Sequence, residues 1–358
     1  MIDVLVVDDS LVMRKLIIST LEAHASIRVV GTAEDGHQAL QALDRCKPDL
    51  VILDVEMPVM DGLTALDEIR RRDRRLPVLM FSSLTQRGAQ TTIEALTRGA
   101  SDYVGKPTQM NDLNQALQVL QQELIPKVLA LGERAQAAKV KALPSTPTLR
   151  GVRPGSQATH TTRLAGSASL EAVCIGVSTG GPVALVSLIE AWTTPLSIPV
   201  FVVQHMPPRF TQLLADRLSG LGCMPVHEPY DDQLVQPGHI YLAPGGWHMT
   251  LERKTHGVHV RVVDLPPQSS CKPSVDLLFN SAAKVYGQQL LGVVMTGMGH
   301  DGLQGSQSIV DAGGEVWVQD QYTSVVWGMP GAVAQAGLAH AVLPLQDIAS
   351  SIVRRVQV

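Results

Sequence analysis

Aromatic residues make up only 4% of this 358-residue chain, so its cores have to be built from Val, Leu, Ile and Ala. Cysteine is scarce too. Cys46, Cys174, Cys223 and Cys271 stand far apart with no Cys-x-x-Cys pair, which argues against a zinc ribbon or disulfide framework and for a reducing compartment. No run of about 20 apolar residues occurs, so no membrane span is expected. The chain opens directly as a strand, Met1-Ile2-Asp3-Val4, without a basic segment or cleavage site, and a cytoplasmic protein is expected. Basic charge is in short supply overall, at net −4. Residues 1–125 carry 13 basic and 18 acidic residues, 126–168 carry 7 and 1, and 169–358 carry 9 and 14. Two acidic blocks flanking a basic segment, with no helix-turn-helix pattern, exclude a nucleic-acid surface.

What is present is a chain 45% hydrophobic and 17% charged, long enough for two domains of about 100–200 residues. Residues 1–125 alternate strands (Val4–Val7, Arg28–Gly31, Leu50–Leu53, Val78–Phe81, Asp102–Val104) with helical patterns, the last near Gln109–Leu124 and ending before Pro126. Such alternation gives a parallel sheet covered on both faces. Residues 126–168, rich in Ala, Thr, Ser, Gly, Pro and Arg, read as a linker, helical at first and extended later. Residues 169–358 alternate again, with strands at Ala172–Gly176, Val200–Gln204, His239–Leu242, Gly257–Val262, Leu290–Thr296 and Glu315–Gln319. Helices are expected at Thr211–Leu218, Ser274–Tyr286 and Gly302–Ala312. The fold class is α/β: two doubly wound parallel-sheet domains, flavodoxin-like and then Rossmann-like, joined by a linker.

In the first block polar residues follow successive strands: Asp8 and Asp9, Asp54, Ser82 and Lys106. Ligands of open parallel sheets bind at these carboxyl ends. One aspartate there would cap a helix, but the full set converges on one crevice. Clustered carboxylates invite Mg²⁺, and a carboxylate can take a phosphoryl group whose new charge Lys106 and Ser82 would meet. Asp8-Asp9, Asp54-Val55-Glu56-Met57-Pro58 with Asp61-Gly62, Ser82, and Lys106-Pro107 resemble a two-component receiver domain. The resemblance implies phosphorylation at Asp54 and Mg²⁺ on Asp8, Asp9 and Asp54. It also implies switch roles for Ser82, Tyr103 and Lys106 and a cis bond before Pro107.

In the second block, Gly176-Val177-Ser178-Thr179-Gly180-Gly181-Pro182 follows a strand and precedes a helical pattern, with G-x-S-x-G spacing. Such a turn exposes a serine hydroxyl at a sheet edge. A Walker loop lacks its Gly-Lys here, and a dinucleotide fingerprint would need glycine in place of Ser178. A nucleophilic serine needs a base and an orienting acid. His205 and Asp301 end other strands, while the α/β-hydrolase order Ser178, Asp301, His340 is the rival. A binding module gripping an anion at the Ser178 loop is the non-enzymatic alternative.

Six stretches resemble the catalytic domain of the chemotaxis methylesterases, the CheB family: Ile175–Pro182, Gln204–Pro207 with Phe210-Thr211, Pro237–Pro244 with His248-Met249, Pro273–Asp276, Met295–Gly302 and Val325–Gly331. The resemblance implies Ser178 as nucleophile, His205 as general base and acid, and Asp301 as its orienter. Met298 is implied as a backbone oxyanion donor supported by the Thr179 hydroxyl. Val177 stands where the family usually has alanine, and Cys271-Lys272 where a basic or histidine-bearing pair is common. The implied reaction is hydrolysis of glutamate γ-methyl esters on chemoreceptors, with glutamine deamidation in some members. A chemotaxis histidine kinase would donate the phosphoryl group, and no cofactor serves the ester chemistry. The unphosphorylated receiver is expected to cover the Ser178 cleft until Asp54 is phosphorylated.

Overall fold

Runs such as Leu50-Val51-Ile52-Leu53 and Val173-Cys174-Ile175 have no water-facing residue, the mark of strands covered on both faces. In a computed structural model that describes residues 1–83, 85–107, 113–142 and 169–357, these runs centre two separate compact units. The division between the units lies among the undescribed residues after Ala142.

The first unit contains β1 (Ile2–Val7), α1 (Leu11–Glu22), β2 (Ile27–Ala33), α2 (Gly36–Cys46), β3 (Leu50–Asp54), α3 (Gly62–Arg72), β4 (Val78–Ser82), α4 (Gln86–Thr97), β5 (Asp102–Gly105) and α5 (Leu113–Ala142). Its five strands are parallel, in the order β2-β1-β3-β4-β5. The helix starts are capped by residues other than the clustered carboxylates: Ser10, Asp35, Asp61 and Thr85 each accept an N–H of the first turn.

The last helix departs from expectation. It runs through Pro126 to Ala142, so the 125/126 boundary falls inside α5. Proline inside a helix costs about 3 kcal/mol. Here the apolar stripe carries on past it: Leu120, Leu124, Val128 and Leu131 are all buried. Gly132 lets the helix lie against Ile2, whose Cγ2 would sit 2.4 Å from any added Cβ. Lys139 Nζ pairs with Asp49 Oδ1 at 2.6 Å, anchoring the helix about two turns further along. The start of the expected linker is thus helix packed on the first unit, and its remainder lies outside the described residues.

The second unit contains β6 (Ala172–Val177), α6 (Gly181–Glu190), β7 (Val200–Gln204), α7 (Phe210–Ser219), β8 (Val226–His227), β9 (Gln233–Leu234), β10 (Ile240–Leu242), β11 (His248–Lys254) and β12 (Gly257–Val263). Next come α8 (Val275–Tyr286), β13 (Leu290–Val294), α9 (Leu303–Asp311), β14 (Glu315–Gln319), α10 (Met329–Gln335), β15 (Ala341–Leu343) and α11 (Leu345–Val356). Seven strands form a parallel sheet in the order β15-β14-β13-β6-β7-β10-β8. The strand expected at Gly257–Val262 is not part of it. It forms an antiparallel sheet with β11 and β9. Its alternation explains why: Val258 and Val260 are buried while His259 and Arg261 are not, the pattern of a sheet with one wet face.

The α5 packing gives a direct expectation. Leu131→Ala, beyond Pro126, should cost about 2–5 kcal/mol, read as a lower denaturant midpoint for the transition of the first unit. An unchanged midpoint would show that this part of α5 is not packed.

Candidate functional site

In the first unit the strand order turns back between β1 and β3, and a crevice opens at such a reversal. Asp8 follows β1 and Asp54 ends β3, so both face it. Carboxylate oxygens of Asp8, Asp9 and Asp54 lie within 4.8 Å of one another. The two buried aspartates divide their oxygens. Asp8 Oδ1 accepts the Ser10 N–H at 2.9 Å and Asp54 Oδ1 accepts the Glu56 N–H at 3.3 Å. Their Oδ2 atoms face Lys106 Nζ at 3.0 and 2.7 Å. Burial pushes the Asp54 carboxyl up, Lys106 pulls it back, and the Asp8 charge adds to the rise, leaving it at about 6. An all-carboxylate donor set, with two buried oxygens that have no hydrogen bond and only the lysine charge beside them, fits a hard divalent cation such as Mg²⁺.

The other expected residues surround this cluster. The Ser82 hydroxyl is buried and donates to the carbonyls of Ser83 and Gly88 at 3.2 and 3.1 Å. Tyr103 is buried beneath Lys127 Nζ, 5.1 Å from its ring centre. Asp61 caps α3 by accepting the Thr64 N–H, and Gly62 passes so close to β3 that a Cβ would meet Asp54 O at 2.1 Å. The bond before Pro107 is not cis; Lys272–Pro273 is the cis proline among the described residues. Pairing of β5 with β4 up to Ser82–Gly105 delivers Lys106 to the rim without it.

The second unit repeats the logic. Its strand order reverses between β6 and β13, and Ser178 follows β6 there. Val177 pairs with Gln204 across β6 and β7, so Ser178 and His205 leave neighbouring strands side by side. The His205 N–H donates to Val177 O at 3.2 Å, and the Ser178 N–H donates to Thr296 O at 3.0 Å beyond β13. Gly297 lies so close that a Cβ there would meet Ser178 Cβ at 2.9 Å. Gly180, at φ +75°, turns the chain into α6 where a Cβ would strike Val325 at 2.5 Å.

His205 Nε2 lies 2.8 Å from Asp301 Oδ2. Asp301 is 2% exposed and held from several directions. Ser274 Oγ donates to Oδ1 at 3.0 Å, and the first N–H groups of α8 donate too, Val275 to Oδ2 at 2.7 Å and Asp276 to Oδ1 at 3.0 Å. Burial pushes Asp301 up, but His205 and those N–H groups bring it below the usual carboxylate range. Burial lowers His205, and the bonds to Asp301 and Cys271 outweigh it, raising the imidazole to about 9.

The expected row is complete between imidazole and carboxylate but not at the serine. No hydrogen bond joins the Ser178 hydroxyl to His205 among the described residues. The reason is local: the ring turns Nε2 to Asp301, and its Nδ1 faces Cys271 Sγ at 3.6 Å. The N–H groups of Thr179 and Met298 have no hydrogen-bond partner among the described residues. The rival His340 precedes β15, at the rim opposite the carboxyl ends, where its Nδ1 accepts the Val316 N–H at 3.1 Å.

Three residues with no assigned role in the sequence reading hold this site together. Gln204 Nε2 donates to the carbonyls of both Ser178 and His205, at 3.0 and 3.3 Å. The Thr296 hydroxyl donates to Thr179 O at 2.9 Å. Asp276 Oδ1 accepts the N–H groups of Gly302 and Gly305 at 2.9 and 2.7 Å, fixing the turn beside Asp301. Gln204 and Thr296 close apolar strands as polar residues, a signal like that of the aspartates in the first unit.

Residues 173–352 match the family model described as CheB methylesterase, and residues 4–118 match the response regulator receiver domain. A protein-glutamate methylesterase/protein-glutamine glutaminase of Trichodesmium erythraeum is 45% identical over 99% of this chain and 98% of its own. One of the same name from a Nocardioides species is 44% identical over 99% and 95%. The crystal structure of the Thermotoga maritima CheB methylesterase catalytic domain is 37% identical with a TM-score of 0.51, covering 52% of this chain and 99% of that one.

The His205–Asp301 pair makes a measurable expectation. In ¹⁵N-imidazole NMR, His205 should titrate near 9, above the ordinary value of about 6.5. Asp301→Asn should bring it down, since burial then acts with less opposition; a titration unmoved by that change would remove Asp301 as the cause.

Proposed function

Because the chain belongs to the CheB methylesterase family and carries a receiver domain, we propose that it hydrolyses glutamate γ-methyl esters on chemoreceptors under control of phosphorylation at Asp54. The observation that carries this reading is the His205–Asp301 pair, 2.8 Å apart, beside a serine on the neighbouring strand at the sheet reversal. Ser178 Oγ attacks the ester carbonyl while His205 Nδ1, the ring nitrogen not committed to Asp301, takes its proton. This reverses the ring orientation of the best-known serine proteases, where the far nitrogen serves as base. Asp301 holds the tautomer and meets the imidazolium charge. The free N–H groups of Thr179 and Met298 receive the oxyanion, with the Thr179 hydroxyl in support. His205 returns the proton to departing methanol, then activates water against the acyl-enzyme, giving glutamate. A glutamine side chain takes the same path and releases ammonia, more slowly because amide is the poorer leaving group.

In the receiver, Asp54 attacks the phosphorus of a phosphohistidine on a chemotaxis kinase, and its buried carboxylate is oriented by Lys106 and the Glu56 N–H. Mg²⁺ held by Asp8, Asp9 and Asp54 would supply positive charge against the phosphoryl oxygens. The added charge of roughly −2 recruits Lys106 and the Ser82 hydroxyl. Movement of Ser82 and Tyr103 relieves a restraint that the unphosphorylated receiver places on the esterase. The chain works in the cytoplasm, and among the described residues no helix is long and apolar enough to cross a membrane.

Methanol release from methylated receptor, with and without a small phosphodonor, tests the reading on the full chain. Ser178→Ala and His205→Ala should each lower kcat by at least about 10⁴-fold. Asp54→Asn should abolish stimulation by the phosphodonor and leave the basal rate. The acid limb of kcat/KM should lie above the ordinary imidazole range, toward about 9, because His205 must lose its proton to act. Full turnover in Ser178→Ala would end the account.

A further inference from the structure

The reaction above makes no use of the Cys271 thiol, yet the fold delivers it with care. Gln268 and Cys271 exchange backbone hydrogen bonds at 3.0 and 2.7 Å across Ser269 and Ser270, which hold φ at 49° and 63°. Two successive non-glycine residues in left-handed backbone are costly, and the turn they make sets the sulfur 3.6 Å from His205 Nδ1.

That distance has a chemical meaning. Asp301 takes the Nε2–H, so the neutral ring presents its free lone pair at Nδ1, toward the sulfur. A tetrahedral ion about 2.3 Å from a thiolate and about 2.0–2.1 Å from an imidazole nitrogen spans an S···N gap of about 3.6 Å. A carboxylate on the far ring nitrogen is the usual outer partner of a metal-bound histidine, and Asp301 already fills that place. Donor atoms of His205, Cys271 and Asp301 all lie within 4.8 Å of one another. Asp301 is saturated by its own hydrogen bonds, so His205 and Cys271 are the ligands and water completes the shell.

We propose that Cys271 Sγ and His205 Nδ1 form an inhibitory site for a thiophilic divalent cation of the Zn²⁺ class. The thiol proton, and the proton that Nδ1 carries in the imidazolium, go to solvent as the S–metal and N–metal bonds form, and no electron changes hands. With Nδ1 occupied, Ser178 has no base. The site stands on geometry alone; only its consequence rests on the esterase reading.

The test uses the full chain in saturating Mg²⁺, so that the Asp8, Asp9 and Asp54 cluster is not what responds. Buffered Zn²⁺ should inhibit ester hydrolysis, and a chelator should restore it. In Cys271→Ser, with each rate taken relative to that variant's own metal-free rate, the Zn²⁺ concentration for half-inhibition should rise at least about tenfold. Independently of turnover, Co²⁺ should give one equivalent of a thiolate-to-cobalt charge-transfer band that survives in Ser178→Ala, Cys46→Ser and Cys223→Ser and is lost in Cys271→Ser. A missing band, a band kept in Cys271→Ser, or inhibition equal in both proteins overturns the proposal. A chain that shows the band but no metal-free turnover overturns the esterase reading and leaves the site standing.

Discussion

The parallel register of β6 against β7 and β13 is the constraint on which the catalytic unit depends. Val177 opposite Gln204 and Gly176 opposite Val294 leave three chains emerging together at one rim. Ser178 is held at both flanks, by a backbone bond to Thr296 on one side and by the Gln204 side-chain amide, which also reaches His205, on the other. A one-residue slip would turn each side chain to the other face of the sheet. Ser178 and His205 are therefore placed by the same hydrogen bonds that hold the sheet, and Gly297 is the space that this closeness demands.

Both units solve one electrostatic problem in the same way. A carboxylate buried near a reversal point loses its hydration, and in each unit protein donors replace it at both oxygens. Asp54 has the Glu56 N–H on Oδ1 and Lys106 at Oδ2. Asp301 has Ser274, Asp276 and Gly302 on Oδ1, and the Val275 N–H with the imidazole on Oδ2. The outcomes differ because the donors differ. Against burial, the His205 imidazole first and then the N–H groups at the start of α8 hold Asp301 low. Burial pushes Asp54 up further than Lys106 and its one backbone bond can offset, and the Asp8 charge adds to the rise. Asp301 therefore stays ionised, while Asp54 sits closer to neutrality.

These placements were legible in the sequence because a polar residue closing an apolar strand can only lie at the rim. Asp8, Asp54, Lys106, Ser178 and His205 all carry that mark. What was not legible depends on contacts between distant segments. Pro126 reads locally as a helix stop, but the burial of Val128 and Leu131 and the fit of Gly132 on Ile2 outweigh it. Gly257–Val262 reads as one more strand, and only its alternation separates a half-wet antiparallel strand from a covered parallel one. The ring orientation of His205 is set by Asp301 and by a thiol arriving on a turn from another part of the chain.

That last arrangement shows how a base can be both ready and restrained. Turning Nε2 to Asp301 fixes the imidazole, and once the ring is neutral the same bond leaves Nδ1 with its one free lone pair. Ser178 and Cys271 then compete for a single nitrogen. A thiol is a weak donor and yields readily to a substrate-bound serine, so its presence costs the reaction little while no metal is at hand. The sulfur gains its hold only through an ion that prefers thiolate and imidazole together, which hard cations such as Mg²⁺ do not. The two clusters thus differ in donor chemistry: oxygen alone at Asp8, Asp9 and Asp54, sulfur and nitrogen at Cys271 and His205.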